Sequence, residues 1–224
     1  MKQLFIIANW KENMLEEQAR EWYQQMVTGE WQTGNKTVIV CPPFTLLSEI
    51  KQLVTAKRIP LQVGAQNISE FPQSAHTGEE AGDMLKEYAE YVIIGHSERR
   101  AMGETDEIVN KKIAKAQEYN LLPIVCVSNE EQTHSLVLPS QPIQSLIAYE
   151  PLHAIGTGKA EDPQEANSVA KNIKTRLGNV AVLYGGSVNE KNVHLFTQQE
   201  YIDGVLVGGA SLIAGTFIEI IKNA

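Results

Sequence analysis

Eight short runs rich in β-branched and other apolar residues alternate with longer amphipathic segments along this chain, and that alternation restricts the fold more than any single motif. The runs are Leu4–Ala8, Thr37–Cys41, Leu61–Ala65, Tyr91–Gly95, Leu122–Val127, Ser145–Tyr149, Val180–Tyr184 and Gly204–Val207. Most are apolar at consecutive positions, as in Val38-Ile39-Val40 and Val92-Ile93-Ile94. That pattern suits strands covered on both faces rather than a half-wet antiparallel sheet. Strand alternating with helix implies right-handed parallel crossovers. Eight such units in 224 residues favour a closed α/β barrel of the (β/α)8 kind over an open sheet, although periodicity alone does not close it. No linker, repeat or low-complexity tract divides the chain, so residues 1–224 read as a single domain around one core.

Several helix ends are legible. Asp162 precedes Pro163, with Glu165 three residues after Asp162, which is an N-cap, a proline at the first helical position and a carboxylate in the first turn. Gly178, just past Leu177, offers the left-handed conformation of a C-terminal cap. Thr105 heads a segment that sets Ile108, Val109, Ile113 and Ala116 on one face. One unit is incomplete. The stretch between Val127 and Ser145 is short and carries Pro139 and Pro142, so the fifth helix is expected to be largely deleted.

Composition excludes several function classes. A net charge of -8 with no basic stretch argues against nucleic acid, and any small anionic ligand must be gripped by a local site against the overall field. The run Leu4-Phe5-Ile6-Ile7-Ala8 is too short for a signal-peptide core or a membrane span and leads straight into Asn9-Trp10-Lys11. No membrane contact is expected, and the location expected is cytoplasmic. The two cysteines, Cys41 and Cys126, form no CxxC pair and read as buried, reduced thiols.

In a barrel of this kind the site forms at the C-terminal ends of the strands. The polar residues there are Asn9 and Lys11 after strand one, and His96 and Glu98 after strand four. Strand six delivers Glu150 and then Pro151-Leu152-His153-Ala154-Ile155-Gly156-Thr157-Gly158-Lys159; strands seven and eight deliver Tyr184-Gly185-Gly186-Ser187 and Gly208-Gly209-Ala210-Ser211. Taken alone, Lys11 would be a solvated lysine, His96 a structural histidine and Glu150 a turn cap; their joint placement at strand ends reverses those readings. His76, His134 and His194 read as surface or packing residues. Gly156-Thr157-Gly158-Lys159 lacks the upstream glycine and following Ser or Thr of a P-loop, and no GxGxxG opens a helix after strand one. No cluster has metal-ligand spacing, so neither metal nor organic cofactor is expected.

These segments together resemble the triosephosphate isomerase family: Asn-Trp-Lys after strand one, Ile-Gly-His-Ser-Glu-Arg-Arg after strand four and Tyr-Glu-Pro…Ala-Ile-Gly-Thr-Gly-Lys after strand six. So do Tyr-Gly-Gly-Ser-Val, Leu-Val-Gly-Gly-Ala-Ser-Leu and the loop Ala65-Gln66-Asn67…Thr77-Gly78-Glu79. The resemblance spans nearly the whole chain in the family's order, and it implies a TIM barrel that interconverts glyceraldehyde 3-phosphate and dihydroxyacetone phosphate. By that resemblance Glu150 is the base beside the substrate carbonyl and His96 the neutral imidazole that polarises it, the roles for which the family is a standard illustration. A helix starting after His96 would disfavour a cationic ring. Lys11, assisted by Asn9, would offset enediolate and phosphate charge, and Glu98 would orient Lys11. Backbone N–H groups at Gly156, Ser187, Gly208 and Gly209 would grip the phosphate. A helix starting after Gly208-Gly209 would add its dipole. Residues Pro151–Lys159 would form a closing loop with hinges at Pro151, Leu152, His153 and Lys159. The resemblance further implies a homodimer in which Thr77 reaches the neighbour's site, with a tetramer as the alternative.

The chain departs from the family at the loop. His153 stands where a tryptophan is usual, Asn129 where a glutamate is usual, and Lys159-Ala160-Glu161 where Lys-Thr-Ala is commoner. A contact between His153 and Asn129 is the expected replacement. Two other readings compete with the isomerase: an idle phosphate-binding barrel acting as regulator or scaffold, and another phosphosugar barrel enzyme. A pure binder would not need the Lys11, His96 and Glu150 set, and the other enzyme would share the Gly208-Gly209 grip but not the Asn9/Lys11 and His96/Glu98 pairs.

Overall fold

The computed structural model describes residues 2–57, 59–138, 145–156, 158–178 and 180–224. Its strands are β1 (Leu4–Asn9), β2 (Lys36–Cys41), β3 (Leu61–Ala65), β4 (Tyr91–Ile94), β5 (Leu122–Val127), β6 (Leu146–Tyr149), β7 (Ala181–Tyr184) and β8 (Gly204–Val207). Each lies within a residue of its expected bounds. They pair in parallel in chain order, and β8 returns to β1 through Phe5↔Gly204 to Ala8↔Val207, which closes the barrel. Around it run α1 (Glu16–Thr28), α2 (Phe44–Lys57), α3 (Gly82–Leu85), α4 (Ser97–Ala101), α5 (Asp106–Glu118), α6 (Pro163–Leu177), α7 (Val193–Thr197) and α8 (Ala214–Asn223).

Strand alternation divides the apolar residues into two cores. One fills the barrel, with Ile7, Ile39, Ile93, Ile124, Leu183 and Leu206 among its members. The other lies between strands and helices and includes Ile6, Val38, Val92, Val125, Val182 and Val205. The inner core is tight. A Cβ on Gly64 would stand 2.6 Å from Cys41 Sγ, so β3 supplies hydrogen there and Cys41 takes the space. Both cysteines are buried and unbridged.

The helix ends follow the side chains. Asp162 accepts hydrogen bonds from the N–H groups of Gln164 and Glu165 at the start of α6, and Thr105 accepts from Ile108 at the start of α5. Gly178 ends α6 with its N–H on Lys174 O at 2.9 Å. Its φ of 80° is positive as expected, but its ψ of -135° takes it out of the left-handed helical region. On α5 the buried set is Val109, Lys112, Ile113 and Ala116. Lys112, with 4 % of its side chain exposed, bonds to Glu104 (7 %) and to Asn67 Oδ1 at 2.7 Å, and Arg99 Nε meets Glu104 at 2.7 Å. This cluster ties α5 to the loop after β3 and to α4, the helix that follows His96.

In the fifth connection the described residues hold only a 3-10 turn, Glu131–His134, and a segment to residue 138. Residues 139–144 lie outside the described residues, and with them part of the expected helix deletion. No helix among the described residues is long and apolar enough to cross a membrane.

Candidate active site

At the C-terminal mouth of the barrel the chain reverses sharply after β1, and Lys11 adopts a φ of 53°, unusual for a residue with a side chain. Two side chains hold that conformation. Asn9 Oδ1 accepts from Lys11 N at 3.1 Å, and Gln66 Nε2 donates to Lys11 O at 2.8 Å and to Cys41 O at 2.9 Å. The strained turn aims the ammonium across the mouth, where Lys11 Nζ meets Glu98 Oε1 at 2.5 Å. Backbone strain held by several partners is a feature of functional positions.

His96 is the N-cap of α4, and its Nδ1 accepts from Glu98 N at 3.3 Å. With Nδ1 in the accepting role, Nε2 is the ring nitrogen that can donate. Glu98 Oε2 lies 3.5 Å from the same Nδ1. Nε2 faces Glu150 Oε1 at 2.9 Å, and Ser97 N donates to Glu150 Oε2 at 3.0 Å. Glu150, at the end of β6, is 1 % exposed. Burial pushes the thiol of Cys126 well up, and the neighbouring Glu150 carboxylate adds to that, which makes this cysteine an inert packing group.

A cavity of about 300 Å³ lies over these groups, lined by Asn9, Lys11, His96 and Glu150 together with Gly156, Ser187, Gly208 and Gly209. Gly209–Leu212 forms a 3-10 turn where an α-helix was expected; α8 starts only at Ala214, so this part of the lining is a tight turn. Its Ser211 N and Oγ both turn back to Gly208 O, at 2.8 and 2.7 Å. Ser187 Oγ donates to Ala154 O at 2.7 Å and so attaches the β7 turn to the loop after β6.

Asn9, Lys11 and His96 also line a second cavity of about 700 Å³, bounded further out by Asn13, Phe44, Gln66 and Met102. Thr77 lies in an exposed stretch, residues 71–79, apart from the Lys11, His96 and Glu150 cluster. In the loop after β6, Pro151 is buried, while Leu152, His153 and Lys159 are exposed; Thr157 lies outside the described residues. The expected contact between His153 and Asn129 is absent. Asn129 Oδ1 accepts from Gln132 N at 3.0 Å, within its own turn, and His153 Nε2 faces Glu161 Oε1 at 3.6 Å.

Sequence reasoning passed over Gln66, Ser97 and Tyr149 as site residues, and placed Tyr184 at the strand end without giving it a role. Gln66 and Ser97 sit inside recognised motifs, next to residues whose chemistry is more conspicuous. Tyr149 ends a strand and reads as core.

A sequence model of the triosephosphate isomerase family matches residues 4–224. The triosephosphate isomerase of Dehalococcoides mccartyi is 44 % identical over 248 aligned positions, covering 100 % of this chain and 97 % of the relative. That of a Synechococcus species is 40 % identical, covering 99 % and 97 %, and that of Shewanella frigidimarina 37 %, covering 98 % and 96 %.

Proposed function

The chain belongs to the triosephosphate isomerase family, and from that premise we propose how its residues divide the work of interconverting glyceraldehyde 3-phosphate and dihydroxyacetone phosphate. It is an intramolecular aldose–ketose isomerase; the reaction moves a proton and needs no oxidant. The N–H groups of Gly156, Ser187, Gly208 and Gly209 hold the phosphate. Glu150 takes a proton from the carbon beside the carbonyl, while His96 Nε2–H donates to the carbonyl oxygen. Lys11 stabilises the enediolate, with Asn9 and Glu98 setting its position. Glu150 then returns the proton to the neighbouring carbon, and His96 exchanges protons between the two oxygens. The loop from Pro151 to Lys159 closes over the sugar and excludes water.

One observation carries this division. The backbone N–H of Glu98 occupies His96 Nδ1, which leaves the Nε2 proton directed at Glu150 and the cavity. A barrel that only bound phosphate would need the glycine-rich turns alone, and that alternative is not favoured. Glu150→Gln in a coupled assay tests the proposal: turnover falls about 10³-fold if the carboxylate is the base, and a variant with native turnover removes it from the mechanism.

We further infer a homodimer. The reading is supported by an exposed loop carrying Thr77 and a 700 Å³ cavity beside Lys11 and His96, the two features that a two-fold pairing would bring together. A reducing, cytoplasmic setting suits the two buried thiols.

A further inference from the structure

Glu161 is the point at which both ends of the loop after β6 meet. Its backbone N–H donates to Tyr184 Oη at 2.9 Å. Its Oε1 accepts from Tyr149 Oη at 3.1 Å and faces His153 Nε2 of the first hinge at 3.6 Å. Tyr149 immediately precedes Glu150, and Tyr184 immediately precedes Gly185, Gly186 and Ser187. One residue at the far hinge thus touches the near hinge, the strand that ends in the proposed base, and the strand that leads into the phosphate turn.

The arrangement is costly to keep. The Glu161 side chain is 7 % exposed, and its Oε2 has no hydrogen-bond partner among the described residues. A buried, half-satisfied carboxyl destabilises a fold. The groups around it act in both directions: Tyr149 on β6 and His153 on the hinge favour its charge, while Asp162 and Glu165 at the start of α6 oppose it. Tyr184, from β7, stays a neutral phenol, pushed up to about 12 chiefly by burial. Local stability does not account for a carboxyl at this position.

We propose that Glu161 is a positioning residue for the isomerisation, bracing both hinges of the loop against the strand ends that carry Glu150 and the phosphate turn. The bracing acts through the Tyr149 hydroxyl: the phenol fixes Glu161, and the peptide link from Tyr149 to Glu150 passes any shift of the hinge to the base. The inference rests on the reading of Glu150 as that base.

The test compares Glu161→Ala, Glu161→Gln, Tyr149→Phe and the double variant Tyr149→Phe/Glu161→Ala, with kcat, KM and Tm measured for each. Glutamine keeps an oxygen for the phenol and is expected to retain kcat within about threefold, whereas Glu161→Ala and Tyr149→Phe each lose about tenfold or more, since small misplacements of reacting groups are costly. The double variant should fall no further than either single one, as residues acting through one contact do, and kcat should fall while Tm barely moves, which a purely structural role would not produce. Native kcat in Glu161→Ala, additive losses in the double variant, or a glutamine variant as impaired as alanine would each overturn the proposal. Glu150→Gln in the same assay separates the two levels. If it turns over normally, the base reading and the brace both fall; if it is inactive while Glu161→Ala is native, only the brace falls.

Discussion

Gly185 makes the room that Glu150 occupies: a Cβ on Gly185 would lie 2.9 Å from Glu150 Cγ and 3.2 Å from Tyr149 O. The β7 turn therefore shapes the proposed base from behind, by the absence of a side chain. Gly185→Ala should push the carboxylate off its line to His96 and lower kcat about 100-fold, the cost of a displacement near 1 Å at a reacting group. Steady-state kinetics beside a melting curve checks this, with Tm expected to move far less than kcat.

The buried Lys112 and Glu104 pair should dominate stability near α4. Lys112→Met leaves Glu104 buried with Arg99 as its remaining cation and should cost about 3–5 kcal/mol in urea denaturation. Burial alone would raise the Glu104 carboxyl, but hydrogen bonds from Lys112 and Arg99 outweigh it and hold the group below its ordinary value. The stabilisation is thus present above the unfolded carboxylate value near 4.3 and is lost as pH falls through the lower folded value. Acid unfolding of Lys112→Met should begin at higher pH than in the native chain.

Glu161 should show the opposite sign. Burial pushes its carboxyl above the ordinary range, so the folded chain holds that proton more tightly than the unfolded one. Stability attributable to it falls as pH rises from about 4.3 through the raised folded value. Glu161→Gln should therefore raise Tm by about 2 °C at pH 7 and have little effect near pH 4. Equal shifts at both pH values would contradict this account.

The assembly has its own measurement. Light scattering should give a mass near twice 24.8 kDa for the native chain, and Thr77→Arg should shift it toward a single chain with a loss of activity. An unchanged mass in the variant would remove Thr77 from the interface.

Local chemistry was readable from the chain and convergence was not. Apolar runs marked the strands because most of their residues are buried, Gln62 of β3 being an exposed exception, and Asp162 and Thr105 marked helix starts because a capping bond spans two or three residues. Lys11, His96 and Glu150 could be proposed because each lies within two residues of a strand end. Lys112 was missed because a lysine on an amphipathic helix ordinarily faces water, and Asn67, 45 positions away, is part of what buries it. The contact assigned to His153 and Asn129 failed for a similar reason: Asn129 met a nearer donor in its own turn, and His153 found Glu161 across the hinge. The φ of Lys11 leaves no trace in composition; only the partners on its carbonyl and amide reveal it.

Strand β6 pairs with β7 so that Tyr149 lies opposite Tyr184, and successive residues at its end look to opposite faces of the barrel wall. Tyr149 belongs to the outer core and anchors the hinge, while Glu150 opens onto the mouth. Sliding β6 by one position would exchange them, leaving a phenol among the reacting groups and a carboxylate stranded against the helices. The loop's anchorage at Glu161 therefore holds only while the strand beneath it keeps count.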